Sequence, residues 1–246
     1  NNQIVASRIL FMFDDVHKLA LTQRQKLKEI LIEKRANLSI WISERLEALE
    51  PKELLSYGKK YYKTVNRKEQ EDESVIAEEF IPIFERLLNN IYDSNTDIED
   101  IDDTIFDMWQ FFQNHDYKKT MKSQVVWKCF CETVSAVIKR DNHYDATLYD
   151  FTVGMRWIYR FLIPISIDVP KADVSHLTLS GFPVIPAWVL KYKYGTPIIA
   201  TEHGVFIRER LIAINSSEYS LFLKNLLIKF SECITKVVYY KSDLIL

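Results

Sequence analysis

Residues 196–214 read TPIIATEHGVFIRERLIAI. A run of β-formers, Ile198, Ile199 and Ala200, ends abruptly in Thr201-Glu202-His203-Gly204. A short segment carrying Arg208, Glu209 and Arg210 follows. The pattern predicts a buried strand that delivers polar groups to its C-terminal tip, then a glycine turn and a cationic segment. In open α/β sheets ligands bind outside the carboxyl ends of the strands. A histidine, an acid and two arginines at one strand end suit an anionic, hydroxyl-rich ligand such as a nucleotide sugar.

Working outward, residues 172–179 (ADVSHLTL) read as a strand and 182–194 as a helix. Residues 220–242 read as a long helix, and the terminal DLIL opens another strand. From Lys171 onward the order is βαβαβ, a parallel α/β arrangement. Upstream, the apolar run in RILFMFDDV (8–16) reads as a strand, 22–36 as a helix capped by Thr22, 37–43 as a second strand and 46–57 as a helix. Residues 63–74 (KTVNRKEQEDES) hold one apolar residue, Val65, and predict a linker. Helices are expected over 75–94, 104–113, 120–139 and from a cap at Asp145 or Thr147 to about Phe161. The acidic run 93–103 reads as a solvated loop or helix start, since it lacks the glycine and distal glutamate of an EF-hand. The fold class is α/β, with two α/β pieces bridged by a helical region: 1–62, a linker at 63–74, then 75–246, helical to 165 and sheet-forming from 171.

Bulk composition narrows the function. The chain has 246 residues, a formal charge of -2 and 48% apolar residues, values of an ordinary globular protein. The balanced charge gives no general attraction to nucleic acid. Three cysteines make no disulfide framework, which points to a reducing cytoplasm. Cys129 and Cys131 lack a second ligand pair and predict packed thiols, with no metal site. No apolar run reaches the ~18 residues of a membrane helix. Trp157 to Val169 is interrupted by Arg160, Pro164 and Asp168. The missing initiator Met predicts a fragment or a processed chain, and 5 glycines are few for a complete nucleotide-binding α/β enzyme.

Two groups of residues carry possible chemistry. Phe11-Met12-Phe13-Asp14-Asp15 has the form of a Walker B strand, with Ser43, Glu44 and Arg45 at the tip of the next strand. In P-loop ATPases the first acid supports Mg²⁺ and the second orients the attacking water. Residues 4–57 resemble the latter half of such a core, of the AAA or STAND type. No G-x-x-x-x-G-K-[ST] loop occurs, so ATP hydrolysis by this chain alone is not expected. The competing reading is a buried strand whose end happens to be acidic. The second group is His176 and His203, in consecutive βα units, with Ser180-Gly181 after one and Glu202, Gly204, Arg208 and Arg210 beside the other. Together they predict a polar cleft, with Gly204 allowing close backbone approach. The alternative is an Arg–Glu pair that pins the segment after the strand. His17, His115 and His143 read as surface or structural.

From about Trp157 to Leu246 the chain resembles the N-terminal domain of the Pel exopolysaccharide family of glycosyltransferases. These are family-4 retaining enzymes with two Rossmann-like domains. The matching features are ADVSH, Ser180-Gly181, TEHG followed by RER, and the long helix before Asp243-Leu244-Ile245. The region 75–160 resembles that family's insertion more weakly. The resemblance implies hexosyl transfer from a nucleotide sugar, a UDP-sugar, to a polysaccharide or other glycan, with no separate cofactor. It implies catalytic roles for His203 and Glu202, and substrate binding by Arg208, Arg210, His176, Ser180, Gly181 and Gly204. It further implies a cytoplasmic enzyme and a partnership with a membrane-associated synthase complex. The chain departs from the family in lacking a glycine-rich loop after its first strand, and the donor-binding half would follow Leu246. Two further readings stand beside this one: a non-catalytic scaffold or regulatory module, and part of a P-loop ATPase.

Overall fold

A computed structural model describes residues 9–13, 22–23, 25–27, 38–42, 73–141 and 145–246. Among them, five strands form one sheet: β1 (Ile9–Phe13), β2 (Leu38–Ile42), β3 (Val174–Leu177), β4 (Ile198–Ala200) and β5 (Leu244–Ile245). The spatial order is β2-β1-β3-β4-β5, and every neighbouring pair is parallel. The four longer strands fall within a residue or two of the expected ones, and the α/β class stands.

The expectation of two separate α/β pieces does not. Ile9 pairs with Val174 and Met12 with Leu177, so the first strand lies directly against the third. The N-terminal strands complete the sheet to which β3, β4 and β5 belong. The strand order reverses between β1 and β3, the switch point at which open α/β sheets hold ligands. The structural reading of residues 63–72 as a linker lies outside the described residues; Glu73 and Ser74 are already helical.

Between β2 and β3 the chain makes a long helical excursion. A π-helical stretch, Ile76–Phe80, runs into α1 (Ile81–Tyr92), where Pro82 occupies the first turn. Proline has no N–H to give the preceding turn, so the ladder changes register where Pro82 stands. Next come α2 (Ile98–Asn114), α3 (Tyr117–Met121), α4 (Gln124–Asp141) and α5 (Leu148–Leu162). Asp97 caps α2 through the Glu99 N–H. Thr147, one of two expected caps, starts α5 with a capping box: its side chain accepts from the Asp150 N–H, and Asp150 reaches back to the Thr147 N–H. The core of this layer is aromatic, with the Phe80 ring 4.9 Å from Phe111 and 5.2 Å from Phe112.

Three helices belong to the crossovers: α6 (Val184–Tyr194), α7 (Phe206–Asn215) and α8 (Leu221–Lys241). Gly195, at φ 68°, closes α6 and turns the chain toward β4, a left-handed position that suits glycine. Helix α8 packs on α1, α2, α5 and α7 as well as on β4. It thereby joins the helical layer to the sheet.

Strand alternation sorts the central side chains. Ser175, Leu177, Ile198 and Ala200 are fully buried on one face. Val174, His176 and Ile199 face the other way and are half-buried.

Candidate functional site

The loops after β3 and β4 leave the same edge of the sheet, because both strands run parallel in register. The first loop carries Ser180 and Gly181; the second carries Thr201, Glu202, His203 and Gly204. The sequence reading expected these residues to meet, and several do.

Glu202 is the centre of the arrangement. Its Oε2 accepts hydrogen bonds from Ser180 Oγ at 3.0 Å and from the Tyr239 hydroxyl. Its Oε1 accepts from the Phe206 N–H at 3.1 Å, at the start of α7. Its own N–H donates to the Leu246 carbonyl at 2.9 Å. Burial works against ionisation of this carboxyl. The bonds from Tyr239, the Phe206 N–H and Ser180 outweigh it and hold Glu202 below the usual carboxylate range. Both carboxylate oxygens are therefore engaged within the chain. What pins the segment after β4 is a serine, a tyrosine and a helix N–H, where an Arg–Glu pair was the expected alternative.

His176 shares a hydrogen bond with Thr201 through its Nε2, at 2.8 Å from Oγ1. Its basicity falls below the ordinary value, first by burial and then by repulsion from His203. The two imidazoles, one on β3 and one on the loop after β4, thus lie within electrostatic reach of each other. His203 is exposed.

The arginines take different places. Arg208 is exposed on the first turn of α7. The Arg210 guanidinium lies over the Phe206 ring, 5.4 Å from its centre. Its Nε is buried with no hydrogen-bond partner among the described residues.

Gly181 is buried and serves packing; Gly204 is exposed, with only the tip of the exposed, flexible Glu209 side chain near it. A Cβ there would come within 2.8 Å of Glu209 Oε1. A Cβ at Gly181 would meet Leu179 Cδ1 at 2.6 Å and the Phe206 ring at 2.8 Å. Gly181 is small so that the first residue of α7 can lie against the β3 loop.

Asp14 and Asp15 lie outside the described residues, as do Ser43, Glu44, Arg45, His17 and His143. His115 stacks on Phe111 with ring centres 4.0 Å apart, a structural role. Cys129 is buried and Cys131 half-buried on α4. Among the described residues no three His, Cys, Asp or Glu side chains gather to hold a metal ion, and no helix is long and apolar enough to cross a membrane.

Tyr239 escaped the sequence reading, as did the bond between Thr201 and His176. Tyr239 is one of two tyrosines closing a long apolar helix, and nothing local to it signals a partner 37 positions away. The acidic run 93–103 also hid an exception. It does open a helix, but Asp102 is buried and accepts from Trp188 Nε1 at 2.7 Å and the Tyr192 hydroxyl at 2.6 Å.

The parallel sheet, its helical excursion and the two loops define an α/β protein with a polar cluster at the carboxyl edge of its strands. Residues 31–246 match a protein family described as "Domain of unknown function (DUF3492)", and the chain belongs to that family. The match starts upstream of the 63–74 segment and runs through it. No resemblance to the Pel family or to the ATPases is shown by this match. No curated protein and no solved structure matches the chain.

Proposed function

We propose that this chain is the acceptor-side, Rossmann-like part of a retaining glycosyltransferase that moves a hexose from a nucleotide sugar to a glycan. The observation that carries the reading is the meeting of His176, Ser180, Glu202 and His203 at the carboxyl edge of a parallel sheet, beside the reversal of strand order. That is where α/β sheets bind nucleotides and sugars. In the proposed reaction His203 faces the transferring sugar, and Arg208 and Arg210 offset charge that develops on the leaving phosphate. Glu202 orders the loop, which replaces the catalytic role that the family resemblance implied for it.

The test is transfer of labelled hexose from UDP-sugars to a glycan by the whole protein. Losing one fixed donor to developing charge costs ~100-fold or more in rate, so His203→Ala should reduce transfer by at least about that factor. Its melting temperature should stay within a few degrees, because His203 is exposed. Wild-type rates in the variant would refute the role given to His203. Absence of nucleotide-sugar binding and transfer in the whole protein would favour a scaffold, a second reading that draws on the full engagement of Glu202.

A further inference from the structure

Helix α8 touches both site loops from one side. Thr235 and Tyr239 stand one turn apart and so share a face. Thr235 Oγ1 donates to the Ser231 carbonyl of its own helix at 2.8 Å and lies 3.3 Å from the Ser180 carbonyl, and the Tyr239 hydroxyl donates to Glu202 Oε2. Ser180 Oγ donates to that same oxygen. The β3 loop, the last turns of α8 and the N-terminus of α7 thus form a ring of donors around the Glu202 carboxylate of the β4 loop.

The hydroxyl of Tyr239 is not needed to satisfy this ring. Ser180 is fully buried and already has Glu202 as its acceptor. Tyr239 is 43% exposed, so core packing does not explain its aromatic ring, and water could reach its hydroxyl. What the contact with Glu202 adds is direction. A carboxylate held by donors from three different segments has one orientation. The phenol is correspondingly harder to ionise, chiefly through its bond to Glu202.

We propose that Tyr239 is a positioning residue. Through Glu202 it holds the loops after β3 and β4 in one arrangement, and with them the backbone that carries His203. The consequence for catalysis rests on the transferase reading above; the effect on the loops does not.

Tyr239→Phe removes the hydroxyl and keeps the ring. Hydrogen exchange followed by mass spectrometry on the whole protein should show amides of 178–183 and 201–206 exchanging about tenfold faster, the scale of losing one hydrogen bond to a charged group. Exchange within α1 should be unchanged. In the transfer assay, kcat should fall about tenfold, with the KM for the donor within about threefold, as when an interaction acts on the reaction step more than on binding. Glu202→Gln keeps an acceptor but disrupts the ring. If Tyr239 acts through Glu202, the double variant should exchange no faster than Glu202→Gln alone. Unaltered loop exchange in Tyr239→Phe, or additive effects in the pair, would overturn the proposal. A wild-type protein that transfers no sugar would sink the transferase reading and leave the loop result to be judged on exchange alone.

Discussion

Replacing Asp102 tests how the helical layer is joined to the sheet. Asp102 lies on α2 and is 6% exposed. Its Oδ1 accepts from Trp188 Nε1 on α6, and its Oδ2 accepts from the Tyr192 hydroxyl on α6 and the Lys241 ammonium on α8, the last at 2.6 Å. Lys241 also donates to the Tyr192 hydroxyl at 3.2 Å and lies 4.8 Å from that ring's centre. Burial and the neighbouring carboxylate hold the Tyr192 phenol well above its ordinary pKa. Asp102→Leu would strand a fully buried indole N–H and a cation whose side chain is only 15% exposed. Breaking a buried pair by removing one partner costs about 3–5 kcal/mol, because the other charge is left uncompensated. For a domain of this size each kcal/mol lowers the melting temperature by about 2–4 °C, so a fall of roughly 10 °C is expected. Urea and thermal unfolding followed by far-UV circular dichroism would measure it. Asp102→Leu combined with Lys241→Met should recover about 2 kcal/mol, since the stranded charge goes too. A single variant within about 1 kcal/mol of wild type, or a double variant no better than the single, would refute the argument.

Three further outcomes are expected. A Cβ at Gly154 would come within 2.9 Å of Leu226 Cδ2 and 3.3 Å of Phe222 Cε1, both in the core. Overpacking at about 1–3 kcal/mol should exceed the ~1 kcal/mol helix-propensity gain, so Gly154→Ala should lower stability in chemical denaturation, and a stabilised variant would contradict this. The Ser175 hydroxyl is fully buried and has no hydrogen-bond partner among the described residues. Ser175→Ala removes a group whose burial costs about 1–3 kcal/mol, so its melting temperature should hold or rise; a clear fall would reveal a partner. The carboxyls of Asp150, Glu202 and Asp243 all lie below their ordinary values, each against burial, through hydrogen bonds that include Ser220 for Asp150, Tyr239 for Glu202 and Lys191 for Asp243. Groups lowered in the folded state contribute stability that is complete above the unfolded pKa, about 4, and is lost as pH falls through the folded value. Melting temperature should therefore drop steeply below about pH 4, and Asp150→Asn should flatten that drop; a flat profile from pH 6 to 3 would count against it.

Local signals in the sequence were read well where the physics is local. The β-formers of 9–13, 38–42 and 198–200 make strands, and Thr147 caps α5 through the Asp150 three residues on. Sheet order is another matter. The pairing of Ile9 with Val174 joins residues separated by the whole helical excursion, and no periodicity in either segment names its neighbour. The first strand therefore read as the start of a separate piece. The candidate site divides the same way. Its location at the tip of β4 was legible because polar residues interrupt a β-forming run. The partners of Glu202 and Asp102 were not, since Tyr239 and Trp188 stand 37 and 86 positions away. An acidic run also conceals which of its members is buried. Helix phase sets Asp102 apart, but only the packing of α6 and α8 decides what it meets.

Helix α8 explains why the site and the helical layer form one mechanical unit. Its 21 residues are apolar on most sides, and from the sequence it reads as a core helix. Its polar exceptions are the residues that make long-range bonds. Ser220 caps its start and donates to Asp150, the residue that also closes the capping box of α5. Lys229 and Lys236, two turns apart, both reach Ser94 in the loop before α2. Tyr239 holds the β4 loop through Glu202. Lys241, at the end, pairs with Asp102. Each bond individually is worth little more than about 1 kcal/mol against water. Their placement on a single rigid rod matters more than their sum. A helix transmits displacement along its length, so neither the α5 cap, the α2 loop nor the strand-end loops can shift without straining bonds at the other two. The loop that carries His203 is thus anchored to α8 through the bond from Tyr239 to Glu202.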